Sequence, residues 1–260
     1  MNTVVSKDGT TIAYDKRGDG PALVLVDGAL CSRAQGPMPE LAEKLAERFT
    51  VYNYDRRGRG DSGDAEAYEV EREIEDLAAV IEAAGGSAYV YGTSSGAALA
   101  LRAAAAGVAI EKLVAFEPPY VVDDSRTPIP RTWVADLAAR EPGAAVKYFM
   151  TKGIGLPGFV VAMMKLMPGW KGMTAVAHTL PYDAQVLGEN CFGAPMDAAQ
   201  WAAIDLPVLV VNGGKSPAWM KASNRELAAA VPGAEHTEVP GQNHMIKATA
   251  VAPVISGFLR

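Results

Sequence analysis

Cysteine, histidine and positive charge are all scarce in this chain, and each scarcity excludes something. Of its 260 residues, only Cys31 and Cys191 are cysteines. Two thiols allow one bridge, but they supply neither a disulfide framework nor a CxxC metal pattern. No stretch reaches the ~18 consecutive apolar residues of a membrane-crossing helix. The opening MNTVVSKDGTT also lacks the apolar segment of a signal peptide. Lys and Arg number 24 against 30 Asp and Glu, a formal charge of −6. That balance argues against a nucleic-acid backbone or an anionic membrane as partner. No dinucleotide fingerprint follows a strand and no metal-ligand cluster is present, so no cofactor is expected. With 49% hydrophobic and 21% charged residues, the composition is that of a soluble globular protein. The expected compartment is the cytoplasm and the expected partner a small-molecule substrate, with a homodimer left open.

Short β-rich runs alternate with longer amphipathic ones, the rhythm of a mostly parallel sheet covered by helices. NTVVS, a turn at Lys7-Asp8-Gly9 and TTIAYDKRG predict an opening hairpin. ALVLVDG (22–28) is a continuous apolar run that reads as a buried strand. A helix around 39–48 and the strand TVYNYD (50–55) follow, then the loop RRGRGDSGD. The clearest helix spans 68–84, with Val70, Ile74, Leu77, Val80 and Ile81 on one stripe and Gly85-Gly86 stopping it. After it come the strand SAYVY (87–91), a helix over 94–107 and the strand KLVAF (112–116). Residues 118–205 break the rhythm, with Pro and Gly between short helical pieces. That stretch holds six of the ten methionines: Met150, Met163, Met164, Met167, Met173 and Met196. Flexible thioethers suit either a loosely specific apolar surface or the filling of a small helical core. The rhythm resumes with LPVLVVNGG (206–214), a helix near 219–230, the strand EHTEV and a last helix from about Ile246.

Gly92-Thr93-Ser94-Ser95-Gly96 fits G-x-S-x-G, with Ser94 at the centre. The spacing matters because a strand must turn sharply into a helix while presenting one hydroxyl above the sheet. An apolar strand ends just before the motif and an Ala-rich helix begins within it, which is the setting that gives the pattern meaning. The alternative is a tight turn with a capping serine.

Taken in order, DGTTIAYDKRGDGPALVLVDG, YDRRGRGDS, GTSSG, the strand leading to EPPY, LPVLVVNGG and GQNH resemble the α/β-hydrolase superfamily. The resemblance is to its small bacterial esterase-like members with a helical cap, and it covers nearly the whole chain. It implies an α/β-hydrolase fold: a mostly parallel central sheet flanked by helices, with residues 1–117 and 206–260 as the core and 118–205 as a helical cap. It implies a serine hydrolase with Ser94 as nucleophile. His244, in PGQNHMI after the last predicted strand, stands where the family carries its base. His178 and His236 read as surface or packing residues.

The oxyanion of acyl transfer needs two preorganised N–H donors. The resemblance assigns them to Ser95, after the nucleophile, and Ala29, after the early central strand. Family members usually have histidine where this chain has Asp27. A carboxylate there would oppose an oxyanion, so Asp27 is expected to point away into a hydrogen-bond network. A second departure concerns the acid. The family usually places an aspartate after the strand VLVVNGG, where this chain reads Gly214-Lys215-Ser216-Pro217. Losing that charge costs about four orders of magnitude in turnover. Some family members carry the acid at the end of the strand after the nucleophile helix, here Glu117. The other uses for Glu117 are to cap a loop or pair with Arg56 or Arg57, leaving a Ser–His dyad. Arg56-Arg57-Gly58-Arg59-Gly60 does not fit a phosphate-cradling loop, and its arginines are expected to pair with neighbouring carboxylates.

The expected activity is therefore hydrolysis of a small apolar ester, lactone or related acyl compound through a Ser94 acyl-enzyme. Fold does not fix chemistry, so two alternatives stay open. One is a lyase, cyclase or cofactor-independent oxygenase that uses His244 as a base; the other is a non-catalytic ligand-binding protein.

Overall fold

The computed structural model describes residues 1–260. Eight strands form one sheet: β1 (Asn2–Val5), β2 (Thr11–Arg17), β3 (Ala22–Val26), β4 (Thr50–Tyr54), β5 (Ala88–Thr93), β6 (Ile110–Phe116), β7 (Val208–Gly213) and β8 (Glu235–Val239). Their order across the sheet is β1-β2-β4-β3-β5-β6-β7-β8. β1 and β2 form the antiparallel hairpin expected at the start, and β2 pairs antiparallel with β4. Every other pairing is parallel.

Alternation along the central strands divides their side chains between two cores. Val24, Val26, Val90, Leu113, Ala115 and Val210 face one side. There they meet α2 (Val70–Ala83), α3 (Ser95–Ala105) and, through Leu227, α9 (Ala218–Ala230). Leu23, Leu25, Tyr91, Val114, Phe116 and Val211 face the other side, covered by α1 (Met38–Leu45) and α10 (Ala248–Phe258). α3 is alanine-rich, which favours helix and lets it lie close on the sheet with Ala97, Ala98, Ala100 and Ala103 fully buried. α2 stops where Gly85 and Gly86 take positive φ (120° and 94°), as its sequence predicts.

Between β6 and β7 the regular elements are all helical: α4 (Trp133–Ala138), α5 (Pro142–Tyr148), α6 (Gly158–Met164), α7 (Gly169–Ala175) and α8 (Leu180–Leu187), with a π-helical turn over Phe149–Ile154 and short 3-10 turns. Trp133, Leu137, Val146, Met150, Val161 and Leu180 form its own apolar cluster, which also takes in Leu30 from the loop after β3. The methionines divide between the two uses foreseen for them. Met150, Met164 and Met173 pack in this cluster, Met196 packs against the sheet core, and Met163 and Met167 are exposed. Cys31 and Cys191 are both free thiols, so the one bridge the sequence allowed is not made. No helix is long and apolar enough to cross a membrane.

Candidate active site

The parallel strands bring their carboxyl ends to one edge, where open α/β sheets bind ligands. β3 ends at Asp27-Gly28-Ala29, β5 at Ser94, β6 at Glu117 and β7 at Gly213, while His244 lies in the loop between β8 and α10. The turn from β5 into α3 puts Ser94 at φ 54° and ψ −128°. Its glycines are required by contact. A Cβ on Gly92 would lie 2.6 Å from the Gly96 carbonyl oxygen, and one on Gly96 would lie 2.3 Å from that of Val26. Only three non-glycine residues in the chain have positive φ: Leu30 (61°), Ser94 (54°) and Glu117 (47°). Each follows a strand that ends at this edge. Such conformations cost about 1–3 kcal/mol apiece and persist where surrounding structure enforces them.

His244 links two of the three residues proposed for catalysis. Its Nε2 lies 3.2 Å from Ser94 Oγ, and its Nδ1 lies 2.8 Å from Glu117 Oε2. A carboxylate at Nδ1 accepts the proton there, which leaves the Nε2 lone pair facing the serine hydroxyl. Glu117 is fully buried, and its other oxygen accepts the Gly213 N–H at 2.7 Å. The end of β7, beside which an acid was expected, thus supplies an amide to an acid on β6. Ser216, at the expected acid position, is buried with an Oγ that has no hydrogen-bond partner. Glu117 does not pair with arginine: Arg56 binds Glu73 and Asp183, and Arg57 binds Asp76 and Asp8.

The two assigned donors lie beside Ser94. The Ser95 amide opens α3, and the Ala29 amide sits in the turn after β3. Neither has an acceptor among the loop and side-chain hydrogen bonds of the protein. A Cβ on Gly28 would lie 3.0 Å from Ser94 Cβ, so glycine lets this backbone approach Ser94. Asp27 is buried. One oxygen accepts its neighbour Gly28 N–H at 2.7 Å, while Oδ2 has no hydrogen-bond partner, next to the Cys31 thiol and Gly36. It therefore lacks the full hydrogen-bond network expected for it. Burial pushes its carboxyl up to about 7, against the opposing pull of the Gly28 N–H and the Arg59 guanidinium. His236 lies on β8 and donates from Nε2 to Asn212 Oδ1 at 2.6 Å; His178 is half exposed near Asp64. Neither reaches Ser94. No group of three or more His, Cys, Asp or Glu side chains is disposed to hold a metal ion.

Comparison with known proteins gives the family. A family model described as the alpha/beta hydrolase family matches residues 24–252. The chain belongs to the alpha/beta hydrolase family. A crystal structure of an alpha/beta hydrolase from Sphaerobacter thermophilus DSM 20745 is 52% identical and superposes with a TM-score of 0.92, covering 100% of both chains. The esterase RhEst1 from Rhodococcus sp. ECU1013 shares the fold at 22% identity and a TM-score of 0.71, over 99% of this chain and 98% of its own. The enol-lactonase from Burkholderia xenovorans LB400 does so at 19% identity and a TM-score of 0.71, over 99% of each. The uncharacterized hydrolase YraK of Bacillus subtilis (strain 168) is 36% identical over 104 residues; the match spans 38% of this chain and 38% of that relative's length.

One group in this hydrolase has no sequence signature. Asp183, on α8, is buried against the site and accepts from Arg56 Nη1, Arg59 Nη2 and Ser95 Oγ at 2.8, 2.8 and 2.7 Å. Burial would raise its carboxyl, but Arg59 and Arg56 more than reverse that and hold it below the ordinary carboxylate range. Glu73, gripped by Arg56 through both oxygens, is lowered in the same way. A single Asp in a helix of the 118–205 stretch carries no motif, and only the fold brings it to Ser95.

Proposed function

We propose that the protein is a serine hydrolase of small apolar esters, lactones or related acyl compounds, with residues 118–205 as a cap over the core. The observation that carries this reading is the continuous line Ser94 Oγ, His244, Glu117, with distances of 3.2 and 2.8 Å. In the mechanism, Ser94 Oγ attacks the substrate carbonyl carbon while its proton passes to His244 Nε2. The carbonyl oxygen becomes an anion held by the Ala29 and Ser95 amides. Glu117 offsets the imidazolium charge and keeps the ring oriented. Collapse of the tetrahedral species breaks the bond to the leaving alkoxide, which takes the proton from His244. Water then attacks the acyl-enzyme, gives its proton to Nε2, and Ser94 departs reprotonated, releasing the acid.

Support for an apolar acyl group comes from the helical cluster that adjoins the site. Ala29 and Leu30 pack with Met150, Met164, Met173, Trp133 and Trp170, and apolar walls are what small-molecule pockets ordinarily offer. The esterase and the enol-lactonase that share the fold set the bond types to test first. Intact-mass labelling with a fluorophosphonate decides the central point. One adduct per wild-type chain, absent from Ser94→Ala and from His244→Ala, is expected. A folded wild type that stays unlabelled after hours at neutral pH refutes the acyl-enzyme route, and His244 would then be tested as a lone base in lyase, cyclase or oxygenase assays.

A further inference from the structure

We propose that Arg59 is a positioning residue for the oxyanion hole, aiming and polarising the Ala29 amide, and that Asp183 on α8 holds Arg59 in that role. This rests on the hydrolase reading above. The Gly28 carbonyl and the Ala29 N–H belong to one peptide unit, and the chain has no cis peptide bond. In a trans peptide the two groups point in opposite directions. Arg59 Nη1 donates to the Gly28 oxygen at 2.6 Å. A guanidinium fixed behind the carbonyl therefore fixes the direction of the N–H on the other side. A charge-assisted bond to that oxygen also draws electron density through the amide and makes the N–H a stronger donor. Leu30, the next residue but one, is held at φ 61°, so this loop is strained and needs such a restraint.

The rest of the Arg59 fork is occupied by the helical segment. Nη2 donates to both Asp183 oxygens at 2.8 Å, and Nε donates to Thr179 Oγ1 at 3.1 Å. Asp183 Oδ1 accepts at the same time from Ser95 Oγ and from Arg56 Nη1. Arg56 Nη1 in turn lies 3.3 Å from the Asp27 carbonyl oxygen. One α8 carboxylate thus ties together the residues of both proposed donors, from behind and out of solvent. A lysine cannot reproduce this, because its ammonium lacks the planar fork that spans three partners.

A purely structural lattice would make the opposite prediction from an oxyanion device. The test is Arg59→Lys, with Thr179→Val as a second, gentler variant that keeps both charges. Two probes are used: the second-order rate of fluorophosphonate labelling at Ser94, and the affinity for phenylboronic acid, whose serine adduct is a tetrahedral anion. Removing a whole oxyanion donor costs about 100–1000-fold, so misaiming one is expected to slow labelling at least ~10-fold in Arg59→Lys. Boronate affinity should fall by a similar factor. Thr179→Val is expected to lose about threefold in both, since it removes the bond that Oγ1 accepts from Arg59 Nε and the one it donates to the Val176 carbonyl, while Asp183 still holds the guanidinium. The pH midpoint of labelling, which reports the base, should not move in either variant. Labelling and boronate affinity within twofold of wild type overturn the proposal. If Arg59→Lys does not fold, the same result in Thr179→Val overturns it. A wild type that labels while the variants stay unchanged refutes this inference alone; a wild type that never labels refutes the hydrolase reading as well.

Discussion

The two sides of the site treat buried charge differently. On the base side, Glu117 is sealed from solvent, and its hydrogen-bond partners are one backbone amide and one imidazole. On the donor side, Asp183 is equally sealed but lies between two guanidiniums, and Arg56 is further matched by Glu73. The donor side is balanced before any reaction begins. Glu117 has no arginine or lysine against it, only the His244 imidazole and the Gly213 amide. A buried charge of the first kind supports a fixed geometry, whereas one of the second kind responds to charge created during turnover. Asp27 is a third case, with an oxygen satisfied by nothing and a carboxyl raised until it is partly neutral near pH 7.

Substitutions that neutralise each carboxylate separate these roles. Glu117→Gln keeps size and burial, so stability should change little, but turnover is expected to fall by about 10⁴, measured as kcat on p-nitrophenyl butyrate or as labelling rate. Asp183→Asn should do its main damage to stability. It leaves a buried guanidinium uncompensated, which costs about 3–5 kcal/mol in chemical denaturation. If Asp183→Asn were as stable as wild type, the contrast between the two sides would fail.

Asp27→Asn tests the third case through pH. The folded carboxyl is raised from the ordinary 3.8 to about 7. Between those values the native chain holds a proton that the unfolded chain has lost. Wild-type stability attributable to this group therefore falls as pH rises through that window, by at most about 1.4 kcal/mol per pH unit, and levels off above it. Asparagine has no such dependence. The thermal midpoint of Asp27→Asn relative to wild type should climb from pH 4 to pH 7 and then stay constant. A difference that is flat over that range would show that the carboxyl is ionised throughout.

The smallest effect is expected at Ser216. Ser216→Ala deletes a buried hydroxyl with no partner, so activity should stay within about twofold, and stability should rise slightly as an unmet desolvation cost disappears. A large loss of activity would show that Ser216 takes part after all.

Much of this arrangement is legible in the chain. The apolar runs of β3, β5, β6 and β7 mark the buried strands, and Gly92–Gly96 marks the sharp turn. β5 is longer than its apolar run because Gly92 and Thr93 still pair with Ala115 and Phe116, a continuation that hydrophobicity does not report. The end of β6 points to Glu117 as a candidate acid, but its meeting with His244 depends on the β8–α10 loop folding back by long-range packing. The arginine pairings were foreseen as a class. Asp183 was not, because its position on α8 depends on a helical segment whose short pieces, broken by Pro and Gly, give no periodicity long enough to set which face is inward. For the same reason the π-helical turn after α5 has no counterpart in the pattern of residues.

The contacts of α8 also bear on how a substrate would enter. The start of α8 and the turn before it are bolted to the catalytic floor through Thr179 and Asp183, while α6 and the turn after it present Phe159, Met163, Leu166 and Met167 to solvent. Lifting α8 would break the Asp183 ion pairs to Arg56 and Arg59 and its bond from Ser95 Oγ at once.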